Sequence, residues 1–147
     1  MKNAALTLLF FGIMSGCSGS NKYSIVGKWE VIDADLLPFE HISFCEKLNK
    51  GAVFEFRGNG VLRVFESKDS PTNCNDKQSY KRSGKSLQFR EWDMIWDYEV
   101  LEIGEDILRF RIDRVPEYIY SEDTLIIDEG RIDRISKNGN VIQLKRL

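Results

Sequence analysis

Leu108, Phe110 and Ile112 alternate with Arg109 and Arg111; the same period of two recurs at Phe54 and Phe56 against Glu55 and Arg57, and at Ile142, Leu144 and Arg146 against Gln143 and Lys145. A period of two sends alternate side chains to opposite faces of a strand, so each run has one face for a core and one for water. The runs are separated by glycine-bearing turns at Gly58-Asn59-Gly60, Ser83-Gly84, Gly104-Glu105, Glu129-Gly130 and Asn138-Gly139, which is the punctuation of an antiparallel meander. Strands are expected near Val26–Asp33, Ala52–Arg57, Val61–Glu66, Gln78–Arg82, Ser86–Trp92, Trp96–Ile103, Asp106–Asp113, Thr124–Asp128, Arg131–Ser136 and Val141–Arg146. Eight to ten strands in so short a chain predict an all-β fold, a small antiparallel up-and-down β-barrel closed on itself. A short helix fits only between the first two strands, from Leu36 to Lys50, where Pro38 limits its start.

The first sixteen residues follow a different pattern. One basic residue, Lys2, precedes an apolar stretch from Ala4 to Met14 broken only by Thr7 and Gly12, and Ser15 and Gly16 follow, which is the layout of a signal peptide. A membrane-spanning helix needs about 18 to 20 apolar residues, and this stretch stops short of that. The segment Met14-Ser15-Gly16-Cys17 resembles the lipobox of bacterial lipoproteins. That resemblance implies cleavage before Cys17 and lipid on its sulfur, and Ser18 resembles the pattern that sorts such proteins to the outer membrane. An ordinary secretory leader with an incidental cysteine is the alternative. A single acyl chain binds weakly, at about 0.8 kcal/mol per buried CH₂, whereas two or more hold stably. Residues 17–24 then form the lipidated cysteine and a polar tether. Ser18 to Ser24, fully extended, reaches about 25 Å, and residues 25–147 make one barrel domain.

Composition narrows the partners. The 147-residue chain carries a formal charge of −2, and loss of Lys2 with the leader makes the remainder one unit more negative. Nothing in that balance points to nucleic acid or an anionic surface. Cys45 and Cys74 are the only cysteines besides Cys17. In an oxidising compartment they read as one disulfide, which the chain-entropy model values at roughly 3 to 4 kcal/mol for its loop length. Two free thiols and a metal site are the alternatives, but His41 is the sole histidine and no CxxC spacing occurs. No metal or cofactor is therefore expected.

Val26-Gly27-Lys28-Trp29, followed by Glu30-Val31-Ile32 and a last strand Ile142-Gln143-Leu144-Lys145-Arg146, resembles the lipocalin group, specifically the lipocalin-like domains of bacterial lipoproteins. The placement of Cys45 before the second strand and Cys74 after the third is similar too. The resemblance implies that Trp29 closes the barrel floor beneath Arg146, with Gly27 completing the signature, in a structural role.

Trp92, Met94, Trp96 and Tyr98 would share one face of a continuous strand, a stripe able to stack an apolar or sugar-like ligand at the barrel mouth. The competing reading is a turn near Asp93 with both tryptophans packed in the core. With Phe54, Phe56 and Phe110, the residues Trp92, Trp96 and Tyr98 are the candidate ligand contacts. Tyr118 and Tyr120 are candidate rim contacts. Catalysis has little support: His41 has no Ser or Cys partner in view, and carboxylate pairs such as Asp93 with Asp97 or Asp33 with Asp35 read as surface charge. The expectation is a non-enzymatic, lipid-anchored envelope protein whose barrel holds a small apolar or amphiphilic ligand. The alternative is a filled barrel that serves as a protein-interaction or inhibitor module.

Overall fold

The computed structural model describes residues 23–37, 39, 48–70, 73–74, 78–112 and 129–147. Eight strands alternate in direction: β1 (Gly27–Ala34), β2 (Val53–Phe56), β3 (Val61–Phe65), β4 (Gln78–Ser83), β5 (Ser86–Glu91), β6 (Met94–Ile103), β7 (Ile107–Ile112) and β8 (Asn140–Arg146). Each pairs antiparallel with its chain neighbour, and β8 pairs back onto β1, Trp29 opposite Arg146, to close an up-and-down barrel. The alternation that predicted the strands sets their facing: Leu108, Phe110 and Ile112 point inward and are buried.

One departure from expectation has a physical cause. Arg131–Ser136 is not a strand but part of an α-helix, α1 (Glu129–Asn138), the one helix among the described residues. Ile132 and Ile135 lie three apart, a helical spacing, and Ile135 is buried. Asn138-Gly139, which reads as a hairpin turn, is the helix terminus instead. Gly139 adopts φ +75° and its N–H donates to the Ile135 carbonyl at 2.7 Å, as a left-handed C-cap does. The helix allowed between Leu36 and Lys50 falls mostly on residues 40–47, which lie outside the described residues; on either side of them Phe39 and Leu48 form an antiparallel bridge with N–H···O distances of 2.9 and 2.8 Å. The expected strand Thr124–Asp128 lies outside the described residues.

The β1–β8 and β6–β7 seams each carry a register shift, and the β3–β4 seam is short. Only Val61 and Leu62 of β3 pair with β4. Beyond them, Val64 donates its N–H to the Asn73 side-chain oxygen at 2.9 Å and accepts from the Cys74 N–H at 2.9 Å, so Asn73 and Cys74 continue the wall where β4 is absent. This pairing satisfies backbone groups that a bare strand edge would leave open.

Strand direction defines two ends. The chain enters β1 at one end, and the turns β2–β3, β4–β5 and β6–β7 lie there with Leu147. Strands β1, β3, β5 and β7 finish at the other end, which also holds the two-residue turn Trp92-Asp93 between β5 and β6.

Candidate functional site

Three places account for the residues singled out by sequence. The first is the barrel interior. Phe54 sits at its centre, with ring centroids 6.5 Å from Phe39, 6.3 Å from Phe56, 6.4 Å from Phe89 and 5.9 Å from Phe110. Tyr98 closes on Phe89 at 4.6 Å and on Phe110 at 5.9 Å, and Tyr80 meets Phe56 edge-on at 5.0 Å. Burial raises the Tyr80 phenol above its ordinary pKa, and its hydroxyl donates to the Arg57 carbonyl at 2.8 Å. Walls of a ligand-sized cavity would be accessible to a water-sized sphere. Phe54, Phe89, Phe110, Leu108, Ile142 and Leu144 are instead 0% exposed. The candidate ligand contacts Phe54, Phe56 and Phe110 are thus brought together, but against one another, as a packed aromatic plug. One hollow among the described residues, about 310 Å³, lies on the outer wall beside Lys85, Asp97 and Glu99.

The second place is the entry end. Trp29 is wholly buried and its indole N–H donates to the Ile25 carbonyl at 2.8 Å. The Arg146 guanidinium lies 4.0 Å above that ring. Its nitrogens donate to three carbonyls: Glu105 at 2.7 Å, Val26 at 3.0 Å and Ser24 at 2.8 Å. One side chain therefore ties the segment before β1, the β6–β7 turn and the last strand together over the tryptophan. Gly27 makes room for it. At φ +139°, a Cβ there would stand 2.7 Å from Arg146 Nη1.

The third place is the opposite end. Trp92, Met94, Trp96 and Tyr98 do not form one stripe. Glu91 pairs with Met94, so Trp92 and Asp93 are the turn itself. Tyr98 is core, Trp96 is half-buried against the core, and Met94 is 41% exposed. Trp92 is 72% exposed, with Ile95 beside it at 54%. The turn near Asp93 is present, but only one of its two tryptophans packs inward. Trp92 also has φ +56°, the only positive φ among described non-glycine residues. Bulky side chains are rare there, and the conformation costs about 1 to 3 kcal/mol.

Some residues were not anticipated. Gln78 and Glu91, 3% and 1% exposed, face each other across β4 and β5, with Gln78 Nε2 3.5 Å from Glu91 Oε2. The signal was visible, since Glu91 falls on the same strand face as Leu87 and Phe89. Asn140 is also buried. Its side chain accepts from Leu36 N at 2.9 Å and donates to Leu36 O at 3.3 Å, pinning the start of β8 to the exit of β1. On the outer wall Arg111 pairs with Glu99, and that hydrogen bond holds the Glu99 carboxyl below its ordinary pKa.

Cys74 is half-buried, its Sγ 3.2 Å from the Val64 carbonyl oxygen. Cys17, His41, Cys45, Tyr118 and Tyr120 lie outside the described residues. No group of His, Cys, Asp and Glu among the described residues is arranged to hold a metal ion, and no described helix is long and apolar enough to cross a membrane. No family model, no curated protein and no solved structure matches this chain.

Proposed function

We propose that this chain is a lipid-anchored envelope module that binds another protein through its outer surface, built on a solid barrel of lipocalin type. The observation that carries this reading is the aromatic plug around Phe54: with its central rings at 0% exposure, the barrel offers an apolar ligand no room among the described residues. A closed barrel of this size either fills with side chains or holds one small molecule, and the ring contacts favour the filled case. The lipocalin likeness draws support from the eight-stranded up-and-down closure and from Gly27, Trp29 and Arg146 meeting at one end. The lipid anchor rests on Met14-Ser15-Gly16-Cys17 and the apolar leader. Pairing of Cys45 with Cys74 would fix the segment that completes the wall beside β3.

Two measurements on the full chain, made in a bacterium with an outer membrane, test the reading. Labelled palmitate should enter the wild type and not Cys17→Ser, and failure to label would remove the anchor. Native mass spectrometry of the detergent-extracted protein should show a stoichiometric protein partner. A stoichiometric small-molecule adduct without a protein would replace this reading with ligand carriage.

A further inference from the structure

We infer that the outer wall over β1, β2 and β3 carries a binding hollow for an anionic phospholipid: Lys28 and Lys68 hold the phosphate, and Val53, Phe65 and Leu147 take the first carbons of its chains. The lipid lies outside the barrel, so the filled interior is no obstacle to it. The inference goes beyond the interaction-module reading and rests on it only for the anchor, which supplies the bilayer.

A strand that faces water is polar on its outer side, and here the wall departs from that rule. Val53 falls on the outward side of β2 with Glu55, yet it is apolar and buried. Its register partner on β3 is Phe65. With Leu147, these two border a hollow of about 120 Å³ whose polar side is made by Lys28, Lys68 and two serines. Backbone bonds hold those sides in place. The Leu147 N–H donates to the Lys28 carbonyl at 3.0 Å, and the turn that carries Lys68 is closed by the Ser70 N–H donating to the Ser67 carbonyl at 3.2 Å.

The fold leaves both cations unused. Lys28 stands opposite Glu55 in the β1–β2 register, but that carboxylate is taken by Arg57 at 3.4 Å. Among the described residues neither ammonium makes an ion pair or a hydrogen bond. Asp69, exposed beside Lys68, does not line the hollow. In a chain of net charge −2, two unspent cations facing one space are a local feature, and they call for an anion. A bare phosphate would leave the apolar side idle, whereas a phospholipid uses both halves.

Position favours a membrane source. Lys28 and Leu147 stand at the entry end, where Arg146 holds Ser24 and Val26 and the chain leads back toward Cys17. A tether of about 25 Å keeps the hollow within reach of bilayer phosphates. Tyr23 and Val26, 37% and 41% exposed, lie at the same end, and a tyrosine there suits the headgroup level of a bilayer. The exposed carboxylate of Asp93 on a second copy is the rival occupant.

The test is native mass spectrometry of the full-length protein, extracted in a non-ionic detergent and titrated with dihexanoylphosphatidylglycerol. The expected result is one lipid per chain. Lys28→Gln combined with Lys68→Gln should weaken that binding about 10- to 30-fold, while thermal unfolding stays at the wild-type temperature. Lys81→Gln combined with Lys137→Gln removes the same charge elsewhere and should leave binding unchanged. Dihexanoylphosphatidylcholine, neutral overall, and glycerol phosphate, which lacks the chains, should each bind at least about 10-fold more weakly. Equal affinity for glycerol phosphate would make the occupant a free phosphate ester and overturn the lipid assignment. Equal affinity for the choline lipid, indifference to the Lys28 and Lys68 pair, or equal weakening by the Lys81 and Lys137 pair would overturn the hollow. A dimer of the chain that the Lys28 and Lys68 changes dissolve would overturn it too, and assign the lysines to a second copy. The anchor fails separately: lipid bound through the lysine pair without palmitate on the wild type removes the anchor and supports the hollow, and palmitate without bound lipid does the reverse.

Discussion

Trp29 and Trp92 are the same residue type at opposite ends of one barrel, and they are used in opposite ways. Trp29 is 0% exposed, its indole N–H is bonded, and an arginine lies over its face. Trp92 is 72% exposed on a backbone that glycine would occupy more easily. The contrast separates a tryptophan that makes the fold from one that the fold displays. One end of this protein buries and fastens its tryptophan, and the other leaves one largely in water.

The comparison can be broken most decisively at the fastening. Trp29→Ala removes a buried indole that the surrounding wall cannot collapse to replace, and urea unfolding should show a loss of about 3 to 5 kcal/mol. Arg146→Ala should cost about 2 kcal/mol, since it removes bonds to Glu105, Val26 and Ser24 together with the ring contact. Arg146→Lys should recover less than half of that, because an ammonium cannot reach three carbonyls from one planar fork. Equal stability of the Lys variant and the wild type would reduce the clasp to simple charge. At the presenting end the sign reverses: Trp92→Gly should be neutral or stabilising by up to about 1 kcal/mol. A loss as large as that of Trp29→Ala would show that Trp92 belongs to the core after all.

The smallest effect is on the outer wall. Glu99 is held below its ordinary pKa by the Arg111 hydrogen bond. A depressed carboxylate adds stability that is present above its unfolded pKa and lost as pH falls through the folded value. Stability should therefore decline on acidification below about the ordinary carboxylate value, and Arg111→Gln should flatten that decline slightly. An unchanged pH profile in Arg111→Gln would show that the pair is fully screened.

The strands were legible because alternation leaves little choice: Phe54 and Phe56, or Leu108, Phe110 and Ile112, can share a core only as strand faces. The helix Glu129–Asn138 was not, because Glu129-Gly130 and Asn138-Gly139 satisfy the sequence rules of hairpin turns as well as those of a helix terminus. The structure decides between them, with Ile135 buried on the helix. The Trp29–Arg146 contact could be anticipated from the likeness of the two terminal strands to a known pattern. Whether the interior was hollow could not, since Phe54, Phe89 and Phe110 line a cavity or fill it according to how their rings tilt. Trp92 was misjudged for a related reason: strand facing places a residue only while the strand continues, and here it ends one residue earlier, at Glu91.

The Arg146 clasp joins carbonyls at Ser24 and Val26 to a side chain 122 and 120 residues further along the chain. Pairing of β1 with β8 spans a similar separation, and contacts so far apart in sequence form slowly because a long loop must close first. Closing the barrel and fastening the segment before β1 are therefore one late event in folding: until β8 reaches β1, the sheet has two open edges and the clasp has nothing to hold.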